Sequence, residues 1–223
     1  MRYDLQPLFL TFELALVVTV ILFVFGIPLA YWIAFSRNRF KYIVETLVSI
    51  PLVLPPTVIG FYLLIAFSPK NFLGHFLLFY FGIRVAFSFI GLVIGSVIFS
   101  LPFMVNPIKA GFQNFPTALM EASYVLGKSP WETLRRVILP NIRPSLLTGI
   151  VMAFAHTIGE FGVVLMIGGN IPGETRLASI AIYNEVEALN YDTAGLYALI
   201  LVSISFIVLL VFYYLNRRVI KVF

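Results

Sequence analysis

Glu121-Ala-Ser-Tyr-Val-Leu-Gly-Lys-Ser-Pro-Trp-Glu-Thr-Leu-Arg-Arg-Val-Ile-Leu-Pro140 is the longest run in the chain that mixes charge with apolar residues, and long hydrophobic stretches flank it on both sides. Leu119, Ala122 and Leu126 fall on one helical face, and Gly127 stands where a C′ glycine ends a helix. Ser129, Pro130 and Glu132 have the spacing of a second start: Ser at the N-cap, Pro at the first helical position, and Glu to complete a capping box. Pro140 and Pro144 should break this second helix at its far end. The expected product is a helix–turn–helix elbow, held between membrane spans and offered to the cytoplasm. Ala122 to Ser129 also reads A-x-x-x-x-G-K-S, one residue short of a phosphate-binding loop. Such a loop needs glycine at its first position, a strand before it and a helix opening at the Lys. Here a helical pattern precedes and Pro130 comes directly after, so nucleotide binding by this chain is excluded.

Composition places the elbow in a membrane protein. Of 223 residues, 61% are hydrophobic and 11% charged, with a mean hydropathy of +1.00, against about 25% charged in a soluble domain. The formal net charge of +5 chiefly reports orientation in such a chain, and no nucleic-acid partner is expected. There is no cysteine, which excludes disulfides, thiolate catalysis and Cys-based metal sites. The first apolar run is longer than the core of a cleavable signal peptide and should remain as the first span.

The expected fold is all-α, a single transmembrane domain over 1–223 with a cytoplasmic loop at about 105–145. Five spans are expected near 10–35, 43–67, 86–104, 146–167 and 194–215. The first carries Gly26-x-x-x-Ala30 for a close helix contact and Pro28 for a kink. Pro51, Pro55 and Pro56 should break the second near mid-bilayer, where freed carbonyls must face protein or water, as in substrate pathways. Gly91-x-x-x-Gly95 marks the third for packing, and Pro102 should bend its exit. Residues 68–85 are too interrupted to span, and 76–81 suit the outer interface. Gly149, Ala153, Gly159 and Gly162 give the fourth a small face. A polar loop over 168–193 should hold a turn at Pro172-Gly173 and a short helix through Ala178, Ile182 and Val186.

Orientation is set by Lys and Arg. Arg37, Arg39, Lys41, Lys109, Lys128, Arg135, Arg136, Arg143, Arg217, Arg218 and Lys221 come after spans one, three and five, eleven of the fifteen basic residues. Arg2, Lys70, Arg84 and Arg176 lie on the other side. The N-terminus is therefore expected outside and the C-terminus inside, which puts the elbow in the cytoplasm.

Glu160 is the one acid deep in a span, four residues after His156. A charge at a helix centre costs about 2.5–3.5 kcal/mol on insertion scales. Such a residue either gates a pathway or locks helix packing through a hydrogen bond, and the sequence leaves both open. His156 and Glu160 lack the second histidine of a zinc hydrolase motif. A proton relay in a carrier working alone is the more serious rival.

The quoted stretch resembles the cytoplasmic loop signature of ABC-importer permeases: Glu-Ala-Ala, three residues, Gly, nine residues, Ile, one residue, Leu-Pro. Glu121, Ala122, Gly127, Leu139 and Pro140 match in register; Ser123 replaces the second Ala, and Val137 the Ile. Ile50-Pro-Leu-Val-Leu-Pro-Pro-Thr57 and Gly159-Glu-Phe-Gly162 look like permeases for tetrahedral oxyanions, and Asn170-Ile-Pro-Gly-Glu-Thr-Arg176 like the molybdate branch. The resemblance covers about residues 10–215. It implies the type I importer architecture, a permease homodimer in the inner cell membrane, two ATPase subunits on the cytoplasmic side, and an external binding protein for molybdate or tungstate. Catalytic and metal-ligating residues are expected to be none, and ATP and Mg to belong to the ATPase. It casts Leu119, Glu121, Ala122, Ser123, Gly127, Leu139 and Pro140 as the ATPase-docking loop, and Pro55, Pro56, Thr57, His156, Gly159 and Glu160 as pathway or gate candidates. His156 departs from a position that is often basic in relatives, which leaves its role open. A sulfate or thiosulfate permease of the same architecture is the alternative.

Overall fold

The computed structural model describes the backbone of residues 4–220 and the side chains of residues 4–214. Arg2 and the side chains of Arg217, Arg218 and Lys221, which enter the orientation count, lie outside the described residues. From the N-terminus, α1 (Gln6–Phe35) runs thirty residues through Pro28. Next come α2 (Phe40–Ser49), a single 3₁₀ turn (Ile50–Leu52) and, beyond a gap at 53–55, α3 (Pro56–Phe67). The two halves of this unit are bent by 112°. Three prolines in six positions explain the break: each removes a donor, and each disfavours helix in the residue before it. The short apolar helix α4 (Phe72–Phe81) is mostly exposed and leads to α5 (Phe89–Gln113).

The elbow comes next as α6 (Thr117–Val125), α7 (Pro130–Thr133), a wide π turn (Leu134–Ile138) and α8 (Leu139–Asn141). The chain ends in α9 (Arg143–Ile158), α10 (Gly162–Gly168), α11 (Ala178–Glu187) and α12 (Tyr191–Ile220). The described residues hold no strand. By length and apolarity α1, α5 and α12 each suffice to cross a bilayer; 40–67 and 130–158 qualify as bent units, giving up to five spans.

The structure refines the reading of the prolines and corrects that of the fourth span. α5 continues as one helix through both Pro102 and Pro107 to Gln113, well past the expected end of the third span near 104. The elbow's second helix does break between Pro140 and Pro144, with a bend of 73° at Ile142, though not at Pro140 itself. The missing N–H and crowding ring of Pro140 are absorbed by the π turn, in which Leu139 N–H reaches back to Leu134 O. Pro144 then sits in the first turn of α9, where the missing donor costs nothing. The fourth span is not one helix: α9 and α10 are separated at 159–161. Glu160 therefore lies in a gap and does not share a helical face with His156.

The core is a three-helix packing of α1, α5 and α9, in which Leu14, Val18, Leu22, Leu92, Met104, Ile108 and Ala153 are buried. Lipid offers no hydrophobic driving force between helices, so small residues that permit close approach hold the packing. A Cβ on Gly149 would stand 2.9 Å from Met104 O, and one on Gly26 would stand 3.0 Å from the Met104 side chain. An ion pair ties α2 to α5, Lys109 Nζ to Glu45 Oε1 at 2.5 Å. In contrast, α12 presents Leu199, Val202 and Phe206 outward, as a lipid-facing helix does.

Candidate functional site

Two places carry the candidate residues. The first is the elbow. Gly127 has φ +75°, a conformation that costs glycine little. Gly127 N–H donates to Tyr124 O and Lys128 N–H to Ser123 O, the paired bonds of a Schellman end. Ser129 Oγ then accepts from Glu132 N–H at 3.2 Å, the forward half of the expected capping box. The reciprocal half is absent among the described residues: the Glu132 carboxylate turns instead to Lys128 at 3.7 Å and Arg136 at 3.6 Å.

One hydrogen bond gives the elbow its two faces. Ser123 and Thr133 are buried and join α6 to α7 through their hydroxyls, 2.9 Å apart. With Ser123 turned inward, Leu119, Ala122, Val125 and Leu126 are left outside, and Val125 and Leu126 are 87% and 78% exposed. Glu121 is exposed beside them. The exposed side of α6 is thus an apolar stripe with one acid beside it. Leu139 and Pro140 do not share it: they are half-buried, and Leu139 packs against the core.

The second place is where the two broken helices meet. Gly162 opens α10 directly against Pro56, which opens α3; a Cβ there would stand 2.8 Å from Pro56 Cβ. Gly60 lies as closely on Val163 and Met166. Around this junction is a cavity of about 510 Å³ lined by Pro56, Thr57, Phe99, Ala155, His156, Gly159, Glu160, Phe161 and Gly162. Five of the six pathway candidates thus share one cavity. Pro55 lies outside its lining and is exposed.

The gap at 159–161 frees backbone groups, and neighbours supply partners. Glu160 O accepts from Ser179 Oγ at 2.7 Å, and Glu160 N–H donates to Thr157 O. The side chain is another matter. Glu160 is 3% exposed, and neither carboxylate oxygen has a hydrogen-bond partner among the described residues. Ser96 is near enough to interact with the carboxyl, yet its hydroxyl is also without a bond of ordinary geometry. His156 is held differently: Nδ1 lies 3.0 Å from Ser100 Oγ, and the ring stacks on Phe103 with centroids 3.9 Å apart. Ser100 in turn meets Thr157 Oγ1 at 3.0 Å. Sequence reading did not single out Ser96, Ser100 and Thr157, although Ser96 and Ser100 are a helical turn apart on an otherwise apolar stretch of α5.

Beyond the cavity, the 170–176 segment closes on itself. Thr175 Oγ1 donates to Gly168 O and accepts from Ile171 N–H, while Arg176 Nε donates to Asn170 Oδ1 at 2.7 Å. Gly173, at φ +80°, makes the expected turn.

Residues 26–221 match the family of binding-protein-dependent transport system inner membrane components. The chain belongs to that family. It is a multi-pass inner-membrane permease subunit of the ABC-importer class, a transport component and not itself an enzyme. It is 44% identical over 216 residues to the molybdenum transport system permease protein ModB of Azotobacter vinelandii, covering 97% of this chain and 96% of the relative. The putative molybdenum transport system permease protein YvgM of Bacillus subtilis is 34% identical, with 91% and 89% covered. The probable sulfate transport system permease protein cysT of Marchantia polymorpha is 32% identical, with 93% and 70% covered. The permease also superposes on a chain from an inward-facing structure of the MetNI methionine ABC transporter with TM-score 0.75 at 18% identity, over 96% of this chain and 95% of that one. That likeness shows the fold, the type I importer permease architecture. The resemblance drawn from the elbow signature is thereby borne out.

Proposed function

We propose that this permease forms the membrane path of an ATP-driven importer for a tetrahedral oxyanion, molybdate or tungstate. The observation that carries this reading is the 44% identity to a molybdenum transport permease across nearly the full length of both chains. An external binding protein selects the anion and delivers it to the outer end, near 170–176. Two copies of a separate ATPase subunit dock on the two elbows of a permease homodimer, through the stripe of Leu119, Ala122, Val125 and Leu126. ATP and Mg reside on those subunits and not on this chain. The N-terminus lies outside and the C-terminus inside.

The cavity supports a conduit rather than a tight binding site. Among the described residues no Lys or Arg lines it, and an anion left unpaired in an apolar site costs several kcal/mol. The isolated permease should therefore show no measurable molybdate affinity. The assembled transporter in vesicles, supplied with its binding protein and ATP, should accumulate molybdate or tungstate over excess sulfate. Tight binding by the permease alone contradicts the conduit. Equal competition by sulfate moves the assignment to the sulfate branch, which the identity to a sulfate permease also supports. Uptake without any ATPase subunit makes the chain a carrier that works alone.

A further inference from the structure

Hydrogen-bond direction around His156 can be worked out from hydroxyl valence alone. Thr157 Oγ1 donates to Ala153 O at 2.9 Å, and a hydroxyl has one hydrogen to give. Thr157 must therefore accept from Ser100, whose Oγ is 3.0 Å away. With its hydrogen committed there, Ser100 can only accept from His156 Nδ1, also at 3.0 Å. The imidazole is thus held with its hydrogen on Nδ1, and the stacked ring of Phe103 fixes its plane. The remaining nitrogen, Nε2, has no protein partner among the described residues, and His156 lines the cavity.

An Nε2 so arranged carries a lone pair, which repels a bare oxyanion. One added proton reverses this, because the group then donates to an anion oxygen. The same bond results if the anion arrives carrying the proton on oxygen. Glu160 is the only other titratable group among the described residues that lines the cavity. The α5 face against the ring supplies Phe99, Ser100 and Phe103, and the start of α3 supplies Pro56 and Thr57. On α1, Glu13 is exposed and Tyr31 packs on Phe35 and Phe112. On α12, Ile207, Val208, Val211 and Phe212 line an apolar cavity with α9. Among the described residues no fixed cation lines this site, so a shared proton is the available positive charge.

We propose that His156 Nε2 is the contact point for the oxyanion in the pathway, and that the anion passes this cavity with one proton shared between Nε2 and an anion oxygen. The proton comes from water when the anion enters and returns to water when it leaves, with no other bond made or broken. This rests on the oxyanion-importer reading given above.

The test uses the assembled transporter with binding protein in vesicles, measuring molybdate taken up per ATP hydrolysed across mildly acidic to mildly alkaline buffers. In the wild type this ratio should fall as pH rises. His156→Asn keeps a donor toward Ser100 but removes the Nε2 position, and should lower the ratio about tenfold or more, the scale of a lost hydrogen bond to a charged group. His156→Phe keeps the stacking and should be equally impaired. His156→Gln places a permanent neutral donor near Nε2, and should retain part of the transport while losing the pH dependence. Wild-type transport by His156→Asn would mean that only the link to Ser100 matters, and wild-type transport by His156→Phe that only stacking does; either overturns the proposal. Should the Asn variant fail to assemble, an unchanged pH profile in the Gln variant overturns it as well. Absence of oxyanion uptake by the wild type would instead defeat the functional reading beneath it.

Discussion

Glu160 shows how a single residue changes meaning once its backbone is known. At sequence level, an acid in a span is either a gate or a hydrogen-bonded lock on the packing. The structure buries the side chain in a helix gap, where its carbonyl has a partner and its carboxyl oxygens have none among the described residues. Ser96 is the group near enough to interact with the carboxyl, so a lock on the packing would have to run through that one hydroxyl. Glu160→Gln should leave the thermal unfolding temperature of the purified permease unchanged or raised, because the amide keeps the shape of the side chain and can still meet Ser96. Transport by the assembled importer should change in the same variant. A clear drop in unfolding temperature would show that the carboxyl has a partner after all, worth the roughly 0.6–2 kcal/mol of intramembrane hydrogen bonds.

Among the elements, the paired breaks and the elbow matter most. Gly162 and Pro56 bring α10 and α3 into contact at their first turns, which creates the cavity. Gly162→Ala would press a methyl into Pro56, and overpacking of this kind costs about 1–3 kcal/mol. The expected outcome is a lowered unfolding temperature together with impaired transport. An unaffected variant would mean that the junction can separate freely. The elbow makes the opposite prediction. Ala122 is exposed, so Ala122→Trp should insert and unfold as the wild type does, yet abolish co-purification with the ATPase subunit and transport-coupled hydrolysis. Wild-type hydrolysis and uptake in that variant would remove the stripe on α6 from the docking surface.

For the whole molecule, orientation is the open quantity, and the cysteine-free chain makes it accessible. Single cysteines at Ser129 and Asn170, both outside the long apolar helices, should react with an impermeant thiol reagent from opposite sides of the membrane, Ser129 only from the cytoplasm. Labelling of both from outside would overturn the expected orientation and leave the elbow with no ATPase to meet.

The features legible in the sequence are those governed by near neighbours along the chain. Hydropathy marked the spans, three close prolines marked the first broken helix, and Gly127 and Ser129 marked the turn of the elbow, because donors, φ preferences and caps act within a few residues. Tertiary structure decided the rest. The gap at 159–161 carries no proline; it exists because Gly162 must fit Pro56, roughly a hundred positions away, and because Ser179 satisfies the carbonyl that the gap exposes. Pro140 read as a break but is carried inside a helical segment, since a π turn absorbs the lost donor and the crowding ring, and α5 runs on through Pro102 to Gln113. The hydrogen on His156 Nδ1 was likewise invisible in the sequence. It depends on Ser100, fifty-six positions earlier, and only packing α5 against α9 brings the two together.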